Sequence, residues 1–279
     1  MQIYQHIAVA VRMSPRLSPL LAEAGRMAER LNARLSLIHI GQGDEGHEFG
    51  QALEKAGLPP DTSVYHGRGS PAHAIIEVAE QRNVDLLIAG ALEKERVFRY
   101  FLGSVARTLV REAECSLMLF TEPKLEPEPV RRIVVITDFS EMSMIALRKA
   151  IVLASKEPVE VIEVVRVHSR FGEAMAMSRG ADQGEMAEYL GRTAAEEKSL
   201  LADFIDGAGY APVEIRPVYL EGMAGAVAAK YAHQVRADLL VMPSERPHAA
   251  FLERIFPSDM EWVLREIPCN LWVVREKIG

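Results

Sequence analysis

Cysteine is nearly missing. Cys115 and Cys269 are the two in 279 residues, too few for a disulfide framework or a four-thiolate zinc site, and in a reducing compartment both are expected to stay thiols. Long apolar runs are missing too: nothing approaches the roughly 18 residues of a membrane-spanning helix. Met1–Ile7 carries no basic segment ahead of an apolar one, so the expectation is a cytoplasmic protein with no membrane partner. Positive charge is in deficit, with 32 Lys and Arg against 39 Asp and Glu and a net charge of -7, which argues against nucleic acid as a partner. There is no Gly-x-Ser-x-Gly elbow and no Gly-x4-Gly-Lys-Ser/Thr loop. The 8 histidines form no i, i+4 pair and no cluster with cysteine, so no metal site is expected.

What is present is a globular composition, 49% hydrophobic and 25% charged, on a chain about twice as long as a usual domain of roughly 100–150 residues. An internal repeat accounts for that length. Val84-Asp85-Leu86-Leu87-Ile88-Ala89 reappears as Ala237-Asp238-Leu239-Leu240-Val241-Met242, and Val110–Leu117 as Leu264–Leu271. Ile7–Val11 up to Ser14 matches Ile133–Thr137 up to Ser140 at a smaller shift, so the second copy carries an insertion, placed near 166–197. Thr121–Pro129, with three prolines and three glutamates, reads as an extended linker. The division expected is 1–121, linker 122–130, and 131–279.

Within each copy, β-branched runs alternate with helix-period stretches, the pattern of βαβ units around a parallel sheet buried on both faces. Predicted strands are 7–11, 34–40, 62–66, 84–90 and 115–120, then 132–137, 159–166, 213–219, 238–242 and 270–274. Ser18-Pro19 is read as the opening of the first helix, cap followed by Pro. Ala72–Gln81 and Ser104–Glu112 are predicted as later helices. The fold class is therefore α/β, two tandem doubly wound, Rossmann-like domains. Ligands of such folds bind beyond the carboxyl ends of the strands, at the topological switch point.

At those loops the chain resembles the universal stress protein family, in its tandem form. The resemblance rests on Val-Asp-Leu-Leu-Ile-Ala-Gly, on Gly103-Ser104 and on Thr137-Asp138-Phe139-Ser140, and spans nearly the whole chain except linker and insertion. It implies adenine-nucleotide binding, ATP first, through an aspartate after the first strand and a Gly-x2-Gly-x9-Gly-Ser/Thr loop after the fourth. Copy one keeps Gly90, Gly103 and Ser104 but has Glu93 for the middle glycine and Arg12 for the aspartate. Glu93 sets a negative charge beside a polyanion, and Arg12 cannot accept hydrogen bonds from a ribose or bind a metal ion. Copy two keeps Asp138 but has Pro243, Arg246 and Pro257-Ser258 in the loop. Ser258-Asp259-Met260-Glu261 further reads as a capping box whose acids occupy the helix dipole themselves.

Each feature also has a structural reading. Ser104 is either a phosphate ligand or the helix N-cap; Gly90 and Gly103 serve ligand approach or turn geometry; Asp138 serves a ligand or the start of the next helix. Lys94, Arg96, Arg99, Arg246, His248 and Arg254 are phosphate contacts or solvated loop charges. The cysteines, at equivalent positions before the last strand, read as small buried hydrophobes. The apolar last strands, Leu117–Phe120 and Leu271–Val274, would be sheet edges that either pair with each other as a pseudo-dimer, with homodimerisation beyond that, or are covered by helices.

Three functions follow as expectations. The first is a non-catalytic stress-response protein with a degenerate nucleotide site in copy one and none in copy two. The second is an ATP-binding or slowly hydrolysing switch, with backbone groups of Ile40 and Val164 at the ends of the second strands facing adenine. The third is a scaffold that captures an unknown protein partner or an apolar ligand. Its instruments would be Met175 and Met177 in the insertion and the helix predicted over 185–205.

Overall fold

The computed structural model describes residues 2–41, 46–91, 103–168, 194–244, 263–264 and 267–276. The first repeat comprises β1 (His6–Val11), α1 (Leu17–Leu31), β2 (Arg34–Ile40), α2 (Gly46–Lys55), β3 (Val64–Gly67), α3 (Pro71–Gln81), β4 (Leu86–Gly90), α4 (Ser104–Glu112) and β5 (Ser116–Phe120). The second comprises β6 (Arg132–Thr137), α5 (Glu141–Ala154), β7 (Val161–His168), α6 (Ala194–Gly207), β8 (Glu214–Glu221), α7 (Ala224–Gln234), β9 (Leu239–Pro243) and β10 (Asn270–Val274).

The described strands join one 10-stranded sheet in the order β3-β2-β1-β4-β5-β10-β9-β6-β7-β8. Each repeat is a parallel set whose order reverses between its first and fourth strands, which makes β1/β4 and β6/β9 the two switch points. The central strands are apolar residue after residue because both faces are covered. One face packs against α1, α2, α5 and α6 through a core that includes Leu21, Met27, Leu147 and Trp272. The other packs against α3, α4 and α7 through Ile75, Leu109, Ala228 and Leu271.

The two repeats meet strand to strand. β5 and β10 pair antiparallel, with Met118 opposite Trp272, so neither last strand is left as an edge. Trp272 is fully buried and its Nε1 donates to the Tyr4 hydroxyl at 3.1 Å. The antiparallel seam also puts the carboxyl ends of β1–β5 and of β6, β7, β8, β9 and β10 on opposite rims of the sheet.

The repeated aspartate is a strand lock at the amino ends. Asp85 Oδ2 accepts the amides of Gln5 and His6, each at 2.9 Å. Asp238 Oδ2 accepts those of Arg131 and Arg132, each at 2.8 Å. Bonds to a charged acceptor contribute more than neutral ones, so Asp85→Ala is expected to lower unfolding free energy by about 2–3 kcal/mol in urea titrations.

Among the boundaries that differ from the sequence reading, three bear on the site. α1 begins at Leu17 behind Arg16, which makes no side-chain cap bond, so Ser18 is not the cap. The turn closes earlier, Leu17 N–H donating to Ser14 O at 3.0 Å, and Pro19 sits inside the first turn, whose N–H groups lack helical partners anyway. β7 runs on to His168 because it pairs along its whole length with the eight-residue β8. Of the expected insertion, Arg166–His168 complete β7 and 194–197 open α6, while Met175, Met177 and the predicted helical stretch before 194 lie outside the described residues.

Candidate functional site

In the first repeat the switch point lies between the ends of β1 and β4. Arg12 follows β1 directly and is exposed. Gly90 closes β4, and a Cβ there would meet Leu20 Cδ2 at 3.8 Å, an ordinary contact, so packing alone does not demand the glycine. Gly103, not Ser104, is the N-cap of α4: its backbone is extended at φ -63°, and as a glycine it has no side chain with which to cap the helix. Ser104 is the first helical residue and is exposed. With no acid in the first turn, the amides and the positive end of the dipole at α4 are unopposed by the helix itself. Because α4 joins the parallel strands β4 and β5, it runs antiparallel to them, and this end points to the ligand rim.

Beside the switch point, three neighbouring strands bring together Val11, His39 and His66 in register. His39 is buried, and its Nδ1 lies 3.2 Å from the Val11 carbonyl. Its ring is edge-on to Phe49 at 5.1 Å and to His66 at 5.9 Å. A Cβ on Gly41 would collide with that ring, so the bend after β2 needs glycine for close approach. Ile40, the last residue of β2, is half-buried.

The second repeat uses the same positions differently. Asp138 follows β6 as Arg12 follows β1, and its Oδ1 accepts the Ser140 amide at 3.0 Å, the Ser140 hydroxyl at 2.5 Å and the Ser143 hydroxyl. Ser140 caps α5 by accepting the Ser143 amide at 3.2 Å. Phe139 between them has φ 68°, a left-handed turn that the aspartate and serine bonds hold in place. Arg166, the register counterpart of His39, lies 4.7 Å over the Phe139 ring. Its Nε donates to Glu197 of α6 at 2.7 Å, with side-chain exposures of 9% and 1%. Phe139 also packs on Phe204 of α6 at 5.8 Å. At the fourth strand Pro243 replaces Gly90 and has no N–H to offer.

Val164 does not sit at a strand end. It is the fourth residue of the eight in β7, fully buried and paired on both sides. Val167 is the true counterpart of Ile40. The structure thus places Arg12, Ile40, Gly90, Gly103 and Ser104 toward one rim of the sheet and Asp138 at the other, and Val164 inside a strand, not at its end as the sequence reading has it. The sequence reading misses His39 and Arg166, whose signal is a polar residue at the same register position near the end of the second strand in both copies. Glu93, Lys94, Arg96, Arg99, Arg246, His248, Arg254, Pro257, Ser258, Asp259 and Glu261 lie outside the described residues.

Other chemistry is sparse. Burial pushes the Cys269 thiol well above its ordinary range, which removes the thiolate a nucleophile needs. Among the described residues, no three His, Cys, Asp or Glu are grouped to hold a metal ion, and no helix is long and apolar enough to cross a membrane.

Comparison with known proteins gives a consistent result. The universal stress protein family model matches residues 41–121 and 129–275. A universal stress protein of Methanocaldococcus jannaschii is 38% identical over 58 residues, 21% of this chain and 34% of that protein. The match thus spans about a third of that relative's length. Universal stress protein A homolog 1 of Coxiella burnetii is 26% identical over 137 residues, 41% of this chain and 94% of that one. The crystal structure of a universal stress protein from Archaeoglobus fulgidus superposes with TM-score 0.68 at 17% identity, covering 98% of each chain. A functionally unknown protein of Pseudomonas aeruginosa superposes with TM-score 0.71 at 16% identity, covering 98% of this chain and 93% of its own. At these identities the structural likeness is one of fold.

Proposed function

The chain belongs to the universal stress protein family, as two tandem copies of that fold, and from that premise we propose that it works by binding, with one adenine-nucleotide site, in domain 1. The observation that carries this reading is the contrast between the two rims. In domain 2 the polar side chains described at this rim engage one another, Asp138 with Ser140 and Ser143 and Arg166 with Glu197 over Phe139. In domain 1 the first turn of α4 carries no acid and its N-cap, Gly103, has no side chain, and Arg12 stands exposed at the neighbouring strand end.

Amides at a helix start together with a nearby guanidinium suit a phosphate. Nothing in this set activates a nucleophile, so the reading is retention of a ligand rather than its turnover. The acidic ligand of the proposal is ATP or a related nucleotide, and the Arg12 side chain takes the part of a phosphate partner in place of a ribose or metal acceptor.

Ser104→Asp tests this without harming the helix. An exposed carboxylate at the first helical position favours the dipole by about 0.3–1 kcal/mol, so stability is expected to hold or rise. Affinity for ATP, measured by calorimetry, is expected to fall about tenfold or more, because like charges near 4 Å repel by about 1–4 kcal/mol depending on screening. Equal affinity in Ser104→Asp and the native chain sinks the reading.

A further inference from the structure

Arg275 lies one residue beyond β10 and is 4% exposed, yet its guanidinium serves the other domain. Nη1 donates to the Ala113 carbonyl at 2.5 Å and Nη2 to the Val110 carbonyl. Both carbonyls close the C-terminal turn of α4, where a cation also meets the negative end of the dipole. From the same fork, Nε and Nη2 reach Ser244 Oγ, each at 3.3 Å. Ser244 is the first residue after β9, at domain 2's own switch point. A planar fork is the group that can hold two carbonyls and a hydroxyl together. Burial pushes the guanidinium down to about 10, which leaves it charged at neutral pH.

The direction of α4 gives this link its meaning. Its N-terminus points to the ligand rim of domain 1, so its C-terminus lies at the opposite rim. β5 is antiparallel to β10, and β10 is parallel to β9, so that opposite rim is where the strands of domain 2 end. Nine residues at 1.5 Å each make α4 a rod of about 14 Å between the two rims. The seam does not repeat the link on its other side. Thr121 stands where Arg275 stands, and its amide and hydroxyl both go to Asn270 Oδ1, at 3.1 and 3.3 Å. Ala91, the counterpart of Ser244, has no polar side chain.

We propose that Arg275 is a positioning residue, through which Ser244 at the end of β9 in domain 2 sets the phosphate-facing helix of domain 1. The functional half of this inference rests on the nucleotide reading above; the mechanical half does not. Ser244→Ala cuts the hydroxyl's tie to Arg275 and leaves the guanidinium on α4, Arg275→Met removes the fork, and Arg275→Lys keeps a charge without the fork.

Hydrogen exchange on the full chain reads the α4 amides against those of α3 as an internal control. In Ser244→Ala, α4 is expected to exchange roughly tenfold faster with α3 unchanged, and ATP affinity to drop at least about fivefold. Arg275→Met is expected to do more, with Arg275→Lys between. Unchanged α4 exchange in Ser244→Ala, or equal acceleration of α3 and α4, overturns the link. Faster α4 exchange with native ATP affinity overturns the positioning role. A native chain that binds no ATP defeats the nucleotide reading instead, and the exchange result still decides the link.

Discussion

Trp272→Ala is expected to lower the unfolding free energy by about 3–5 kcal/mol, the usual cost of emptying a large aromatic site in a core. Trp272 is fully buried in the strand that joins the repeats and faces Met118 across the seam. Its ring lies 6.1 Å from that of Tyr4, at a tilt of 58°. Lys149 of α5 covers the other partner, its Nζ 4.5 Å from the Tyr4 centroid. Truncation thus opens a void that touches β5, β10 and the segment before β1 together. It also leaves the Tyr4 hydroxyl without the indole donor. Because one core cluster runs through both repeats, the native chain is expected to unfold in a single denaturant transition and Trp272→Ala in two. Trp272→Phe, which keeps most of the volume, is expected to cost about 1–2 kcal/mol. A loss below about 1 kcal/mol in the alanine variant would mean the seam is not a packed core.

Glu197→Ala is expected to be nearly as damaging, at about 3–5 kcal/mol, for an electrostatic reason. Glu197 sits in the first turn of α6 with its side chain 1% exposed, against Arg166 on β7. Removing the carboxylate leaves a guanidinium in a low-dielectric site with Phe139 beneath it. Desolvation of that cation, not the lost attraction, supplies most of the cost. Replacing both partners by apolar side chains, Arg166→Met with Glu197→Leu, is therefore expected to recover most of the stability and to lie within about 1 kcal/mol of the native chain. A double-mutant cycle in denaturant measures this directly. If Glu197→Ala costs no more than a surface pair, about 0–1 kcal/mol, then the crevice of domain 2 is open to water.

The fold was legible for a physical reason: parallel strands covered on both faces leave continuous apolar runs. Ile133–Ile136 and Leu86–Ala89 are such runs, and the structure shows them as β6 and β4. The duplication was legible because each copy needs the same aspartate to lock its strand ends, as Asp85 and Asp238 do. Boundaries were harder. Arg166 and His168 look like the end of a strand because they are polar, yet the ladder with β8 carries β7 through them. Ser104 carries the residue type of a cap, but the extended residue is Gly103.

The site was less legible than the fold. Phe139-Ser140 after Asp138 hints at a turn that consumes the carboxylate, and it does. No local pattern announces that Arg166 meets Glu197, because the two are far apart in sequence and their contact depends on how α6 docks on the sheet. The same is true of Arg275, which reaches α4 across the whole length of the second repeat.

Calorimetric titration of the full chain with ATP and magnesium tests the asymmetry of the two rims most directly. One ATP per chain, weakened in Ser104→Asp and unaffected by Asp138→Asn, is the expected result. Two per chain, none at concentrations that detect a Kd of roughly 100 μM, about -5.5 kcal/mol, or one site lost in Asp138→Asn would contradict it.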